Sequence, residues 1–172
     1  GTRSMKDYGP AMARSIKNFV RKQQGNTNDQ YRFGLAIYRH YDDEENSKHP
    51  LFEFIPLQGE KDQIIDKLEN IHYDSDNAPH QESHYYGMKE AITRARFDTA
   101  QTNVLILVGD AGNRKIDERG IHKDEIIDLL YKYNINLLSY QVNSLDHAAY
   151  GAFNMDVYSY MKKTGSKYLK ED

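Results

Sequence analysis

Asn103-Val104-Leu105-Ile106-Leu107-Val108-Gly109-Asp110 is the stretch whose reading decides the fold. Val104 to Val108 is an uninterrupted apolar run, rich in β-branched residues, closed by a glycine and an aspartate. A run this short has the length of a strand, far below the ~20 residues that span a bilayer. Continuous apolar character, in place of alternation, predicts a central strand over Asn103–Gly109 buried on both faces.

The segments on either side fit that reading. Downstream, Ile126, Ile127, Leu130 and Tyr131 share one face of a helix over His122–Tyr133, and Ile135–Val142 follows as a strand ended by Asn143 and Ser144. Ser144 or Asp146 is placed to cap a last helix reaching about Lys163; Gly165 ends it, and Ser166–Lys170 is expected as a final edge strand. Upstream, His84–Phe97 is a helix with Tyr85, Met88, Ile92 and Ala95 inward, preceded by the polar loop His72–Ser83. Asp62–Ile71 is a shorter helix. Leu51–Leu57 is a strand that Pro56 confines to an edge or ends. The acidic loop Asp42–Pro50 is too short for a helical crossover, so this strand and Tyr31–Tyr41 should pair antiparallel. The first helix, Asp7–Gln24, carries Tyr8, Met12, Ile16, Phe19 and Val20 on one face, with Pro10 in its first turn and Gly25 as its stop.

The order is therefore α, β, β, α, α, β, α, β, α, β. Strands alternating with helices predict an α/β fold: a Rossmann-like, doubly wound, mostly parallel sheet with one antiparallel edge strand and helices on both faces. The 172 residues suit a single domain, 1–172. Such a fold should begin with a strand, so the first central strand is expected upstream of Gly1, and the domain is read as N-terminally incomplete. At 38% hydrophobic and 28% charged residues the composition is that of a globular protein. A formal charge of -3 offers no basic footprint for nucleic acid. No apolar run is long enough for membrane insertion, and the absence of cysteine removes disulfides and thiolate metal ligands within the chain.

Ligands of doubly wound sheets bind outside the carboxyl ends of the strands. Three stretches point to that edge: Gly1-Thr2-Arg3-Ser4-Met5 before the first helix, the loop Asp76–Ser83, and Gly109-Asp110-Ala111-Gly112 after the central strand. Together they offer hydroxyls and carboxylates, the hard oxygen donors that Mg²⁺ takes.

Element order, the Gly-Thr-Arg-Ser-Met run and the strand ending in Asp110 resemble the von Willebrand factor A (vWA) family, in particular its bacterial members. The resemblance covers about Gly1 to Leu169 and implies a metal-ion-dependent adhesion site. In the family's first motif, Asp-x-Ser/Thr-x-Ser, Thr2 and Ser4 match the hydroxyl positions, and the leading Asp would lie immediately before Gly1. The second element is a threonine six residues before an apolar helix position; counting back from Met88 reaches Glu82. That departs from the usual threonine. A carboxylate there would hold the cation more strongly and leave it less electrophilic toward an acidic partner. The third element, an aspartate after the buried strand, is Asp110.

The resemblance thus implies metal ligands Thr2, Ser4, Glu82 and Asp110, Mg²⁺ (or Mn²⁺ or Ca²⁺) as the ion, and a protein partner presenting an acidic residue. It implies a binding module for adhesion or assembly, not an enzyme, and favours an extracytoplasmic or cell-surface setting. Plainer readings stand beside it. Thr2 and Ser4 suit an N-terminal tail or a helix cap, Asp110 a turn, and Glu82 a helix N-terminus.

His80 and His84 have His-x-x-x-His spacing but lack the acidic pattern of a metalloprotease, and are expected at the surface. Asp74 and Asp76 read as a solvated loop, and Asp42 to Glu45 as a solvated face. Asp117 and Glu118 either shape the binding surface or keep it soluble. An alternative function is a Mg²⁺-dependent hydrolase or phosphotransfer domain using Asp110. Against it, the chain has no P-loop, no Gly-x-Ser-x-Gly and no Gly-x-Gly-x-x-Gly, and only Arg114 and Lys115 stand near as cations. The second alternative is a vWA scaffold with a degenerate, metal-free site.

Overall fold

The computed structural model describes residues 5–24, 31–40, 49–57, 61–73, 82–113, 117–142 and 147–165. Thr2, Ser4, Gly25, Asp42 to Glu45, Asp74, Asp76, His80, the expected caps Ser144 and Asp146, and the expected strand Ser166–Lys170 lie outside them. The chain divides into two compact units, Gly1–Ala78 and Pro79–Asp172. Among the described residues there are five helices and two two-stranded sheets, one antiparallel and one parallel, so the fold is α/β.

In the first unit the elements are α1 (Gly9–Gln24), β1 (Leu35–Tyr38), β2 (Phe52–Ile55) and α2 (Lys61–Glu69). β1 and β2 pair antiparallel, as the short loop requires, from Leu35↔Ile55 to Tyr38↔Phe52. Both are shorter than their apolar pattern. Pro56 has no N–H to continue the ladder beyond Ile55, so the pairing stops where Gly34 would need a partner. α1 starts two residues later than expected; Tyr8 donates its amide to the Met5 carbonyl in the preceding turn, and Pro10 falls in the first helical turn. Gly9 leaves room for the Tyr73 ring, since a Cβ there would come within 1.6 Å of the Tyr73 hydroxyl and displace that side chain.

α1 packs on α2 through Ala13, Ile64 and Leu68, with Ile16, Leu35 and Ile55 against them. Arg39 is fully buried beside this core. It donates to the carbonyls of Pro50 (2.7 Å) and His72 (3.1 Å) and pairs with Glu53 at 2.8 Å. Burial works against the charged form of Glu53, yet hydrogen bonds from Lys67 and Arg39 win, and its carboxyl is held below the usual range.

The second unit contains α3 (His84–Ala95), β3 (Asn103–Gly109), α4 (Lys123–Lys132), β4 (Ile135–Gln141) and α5 (His147–Gly165). β3 and β4 run parallel, in register from Asn103↔Ile135 to Gly109↔Gln141, with α4 as the crossover. The Asn103 side chain ties the start of the pair together, donating to the carbonyls of Asp98 and Tyr133, each at 2.8 Å. One face of the pair, through Leu107, Ile135 and Leu137, packs into a core with Met88 and Ile92 of α3, Ile126, Ile127 and Leu130 of α4, and Phe153, Val157 and Tyr160 of α5.

The opposite face differs from expectation. Val104 and Ile106 are 47% and 42% exposed, and Leu138 and Tyr140 beside them are exposed as well. β3 is thus buried on one face, because three helices cover that face and the described residues leave the other open.

Candidate functional site

The carboxyl end of β3 carries the third of the three stretches singled out in the sequence, and Glu82, from the described end of the second, is bonded to it. Glu82 donates its amide to the Gly112 carbonyl at 3.1 Å and forms an isolated parallel bridge with Asn113. One strand-like contact therefore joins Glu82, two residues before α3, to the loop that carries Asp110. Glu82 is 7% exposed and Asp110 2%. Two carboxylates are thus buried on loops whose backbones are hydrogen-bonded to each other, although they lie 28 positions apart in sequence.

Further bonds fix this junction. The Gly112 amide donates to the Ala149 carbonyl of α5 at 3.0 Å, and the Val142 amide donates to the Gly109 carbonyl at 2.9 Å. Gly112 lies so close to α5 that a Cβ would come within 2.5 Å of backbone atoms of Ala152 and Phe153. Here the glycine serves close approach.

Behind the two loops lies a polar cluster. Asn113 accepts the Tyr85 amide on Oδ1 at 2.9 Å and donates from Nδ2 to Asp117 Oδ2 at 3.0 Å. The other Asp117 oxygen accepts the amides of Arg119 (2.9 Å) and Ile121 (3.2 Å), so this buried carboxylate closes its own loop. Asp156 of α5 accepts the Tyr85 hydroxyl on Oδ1 at 2.8 Å and the Asn113 amide on Oδ2 at 3.4 Å. His84 Nδ1 lies 3.8 Å from Asp156, and Lys123 Nζ lies 3.5 Å from it. His84 Nε2 and the Tyr160 hydroxyl are hydrogen-bonded at 2.9 Å. Burial drives the pKa of His84 down to about 4, against a weaker upward pull from Asp156 and Asp117, so the ring is neutral at pH 7. Burial, then the charge of Asp156, raises the Tyr85 phenol, which stays a donor.

Of the expected ligands, Glu82 and Asp110 are brought to one junction; Thr2 and Ser4 lie outside the described residues. Among the described residues no group of three or more His, Asp or Glu side chains stands ready to hold a metal ion. The expectation of a surface position for His84 is corrected: it is fully buried in the second unit's core. The signal was its spacing, since His84, Met88 and Ile92 follow one another at helical intervals on one stripe. Asp156 was missed for the same reason, lying among Phe153, Val157 and Tyr160 on the inward stripe of α5. Asp117 is a structural acid of its loop, neither a solubilising charge nor part of an open surface.

Compared with protein families, residues 1–171 match a von Willebrand factor A domain. The chain belongs to the family described as the TssR protein VWA domain. No curated protein and no solved structure matches it. Membership of a VWA family points to a protein-interaction or assembly module. No helix among the described residues is long and apolar enough to cross a membrane.

Proposed function

We propose that the chain is a metal-dependent protein-binding module, not an enzyme, in which Asp110 and Glu82, with Thr2 and Ser4, hold a divalent cation that takes up a partner carboxylate. The observation that carries this reading is the junction itself: two buried carboxylates on loops joined by the Glu82–Gly112 bond. Carboxylates carried on two adjoining loops offer hard oxygen donors, the donor type that such divalent cations take. Mg²⁺, Mn²⁺ or Ca²⁺ would there supply one charge-assisted contact to an acidic side chain, with the surrounding loops giving specificity.

A doubly wound sheet belongs to the same reading, and so does an extracytoplasmic or cell-surface setting. The exposed apolar residues Val104, Ile106, Leu138 and Tyr140 support the first, since a parallel pair of this composition calls for a layer on each face.

A second reading keeps the module but leaves the site metal-free, and the departure from the family's motif at Glu82, not its charge, favours it. Calorimetric titration with Mg²⁺ and Mn²⁺, on the chain lengthened upstream of Gly1 to include the expected aspartate, separates the two. Saturable heat that is lost in Asp110→Ala, with the variant still folded, is the expected result. No heat at millimolar cation supports the metal-free scaffold.

A further inference from the structure

We propose that Asp156 of α5 is a positioning residue of the cation site, fixing the spacing of the Glu82 and Asp110 loops and so setting a preference for a small cation over Ca²⁺. The inference rests on the cation reading above and adds to it a residue and a selectivity.

Asp156 reaches the first turn of α3, which follows Glu82, and the Asp110 loop at once. Its Oδ1 holds the Tyr85 hydroxyl, three residues beyond Glu82, and its Oδ2 holds the Asn113 amide, three residues beyond Asp110. Asn113 closes the triangle by accepting the Tyr85 amide. Asp156 is itself 6% exposed, and Lys123 Nζ at 3.5 Å balances its charge. The Glu82 segment and the Asp110 loop are therefore joined directly by the Glu82–Gly112 bond and a second time, by way of the first turn of α3, through one side chain of the last helix. Mg²⁺ and Mn²⁺ need short, near-octahedral oxygen contacts, at about 2.0–2.1 Å for Mg²⁺, whereas Ca²⁺ accepts about 2.3–2.6 Å in flexible geometry. Loosening the second tie should weaken the small ions first.

The test is calorimetric titration of the lengthened chain and its Asp156→Asn and Tyr85→Phe variants with Mg²⁺, Mn²⁺ and Ca²⁺, with thermal melting alongside. Wild type should bind the small ions with saturable heat; if it binds none of the three, the cation reading falls and this inference with it. Given binding, Asp156→Asn should lose on the order of tenfold in Mg²⁺ affinity, the scale of outer-shell partners, while Ca²⁺ affinity changes much less. Tyr85→Phe should shift the ratio the same way by a smaller factor, and it decides the matter if Asp156→Asn does not fold. An unchanged Mg²⁺ to Ca²⁺ affinity ratio in the folded variants overturns the proposal and leaves the cation reading standing. Equal loss of both ions together with a lowered melting temperature also overturns it, since that is the mark of a merely structural role.

Discussion

His84 is held without charge between Tyr160, Phe153 and Asp156, and this makes stability depend on pH in a defined window. Its folded pKa, about 4, lies below the ordinary 6.5. Between those values the unfolded chain binds the extra proton, so the contribution is complete above about pH 6.5 and is lost as pH falls toward 4. The loss amounts to about 2 kcal/mol by pH 5. Urea denaturation at pH 7.5 and pH 5 should show this drop in wild type and a smaller one in His84→Gln; equal drops would contradict it. Gly112→Ala makes a second test, because the added methyl meets backbone atoms of α5 that cannot rotate away. It should cost roughly 1–3 kcal/mol, read as a lowered melting temperature. These two residues also show where sequence reading stops. The spacing of His84 to Met88 and Ile92 marks an inward position but does not disclose the partners that hold the ring there. Nor does a glycine in Asp-Ala-Gly disclose that another helix lies against it.

At the scale of elements, the β3–β4 pair was legible to the residue at its start, because Val104 to Val108 admits only a strand and α4 is long enough to make the crossover parallel. The β1–β2 pairing was legible in direction but not in extent. Extent depends on the partner, and Pro56 shortens β1 from the opposite strand. The open face of β3 was not foreseen, since an apolar run states a need for cover without stating what supplies it. That need gives a prediction. If the sheet is doubly wound, Ile106 faces a packed layer, and Ile106→Asn should destabilise by about 2 kcal/mol or more through an unsatisfied buried amide. A change within about 0.5 kcal/mol, as at ordinary surface positions, would place that face in water and contradict the doubly wound reading.

At the scale of the whole molecule, the chain is a VWA domain whose loops at one sheet edge are tied together by backbone bonds and by a buried polar cluster. The position of Asp110 at the carboxyl end of β3 was legible because it follows an uninterrupted apolar strand. Glu82 was found only by counting along the family pattern, and Asp156 only through its contacts. Substituting Glu82→Thr should lower cation affinity while strengthening the hold of the bound ion on an added carboxylate, measurable by titrating acetate into the Mn²⁺-loaded chain. The central claim, that Glu82 and Asp110 share one cation, is tested most directly by paramagnetic broadening of amide resonances on adding Mn²⁺ to the lengthened chain. Strongest broadening is expected for residues 82–85 and 110–113, reversed by chelator, with much weaker effects at Asn103 and Ile135 at the opposite end of the β3–β4 pair. Signals at both loops that survive saturating Mn²⁺, or broadening centred elsewhere, would contradict it.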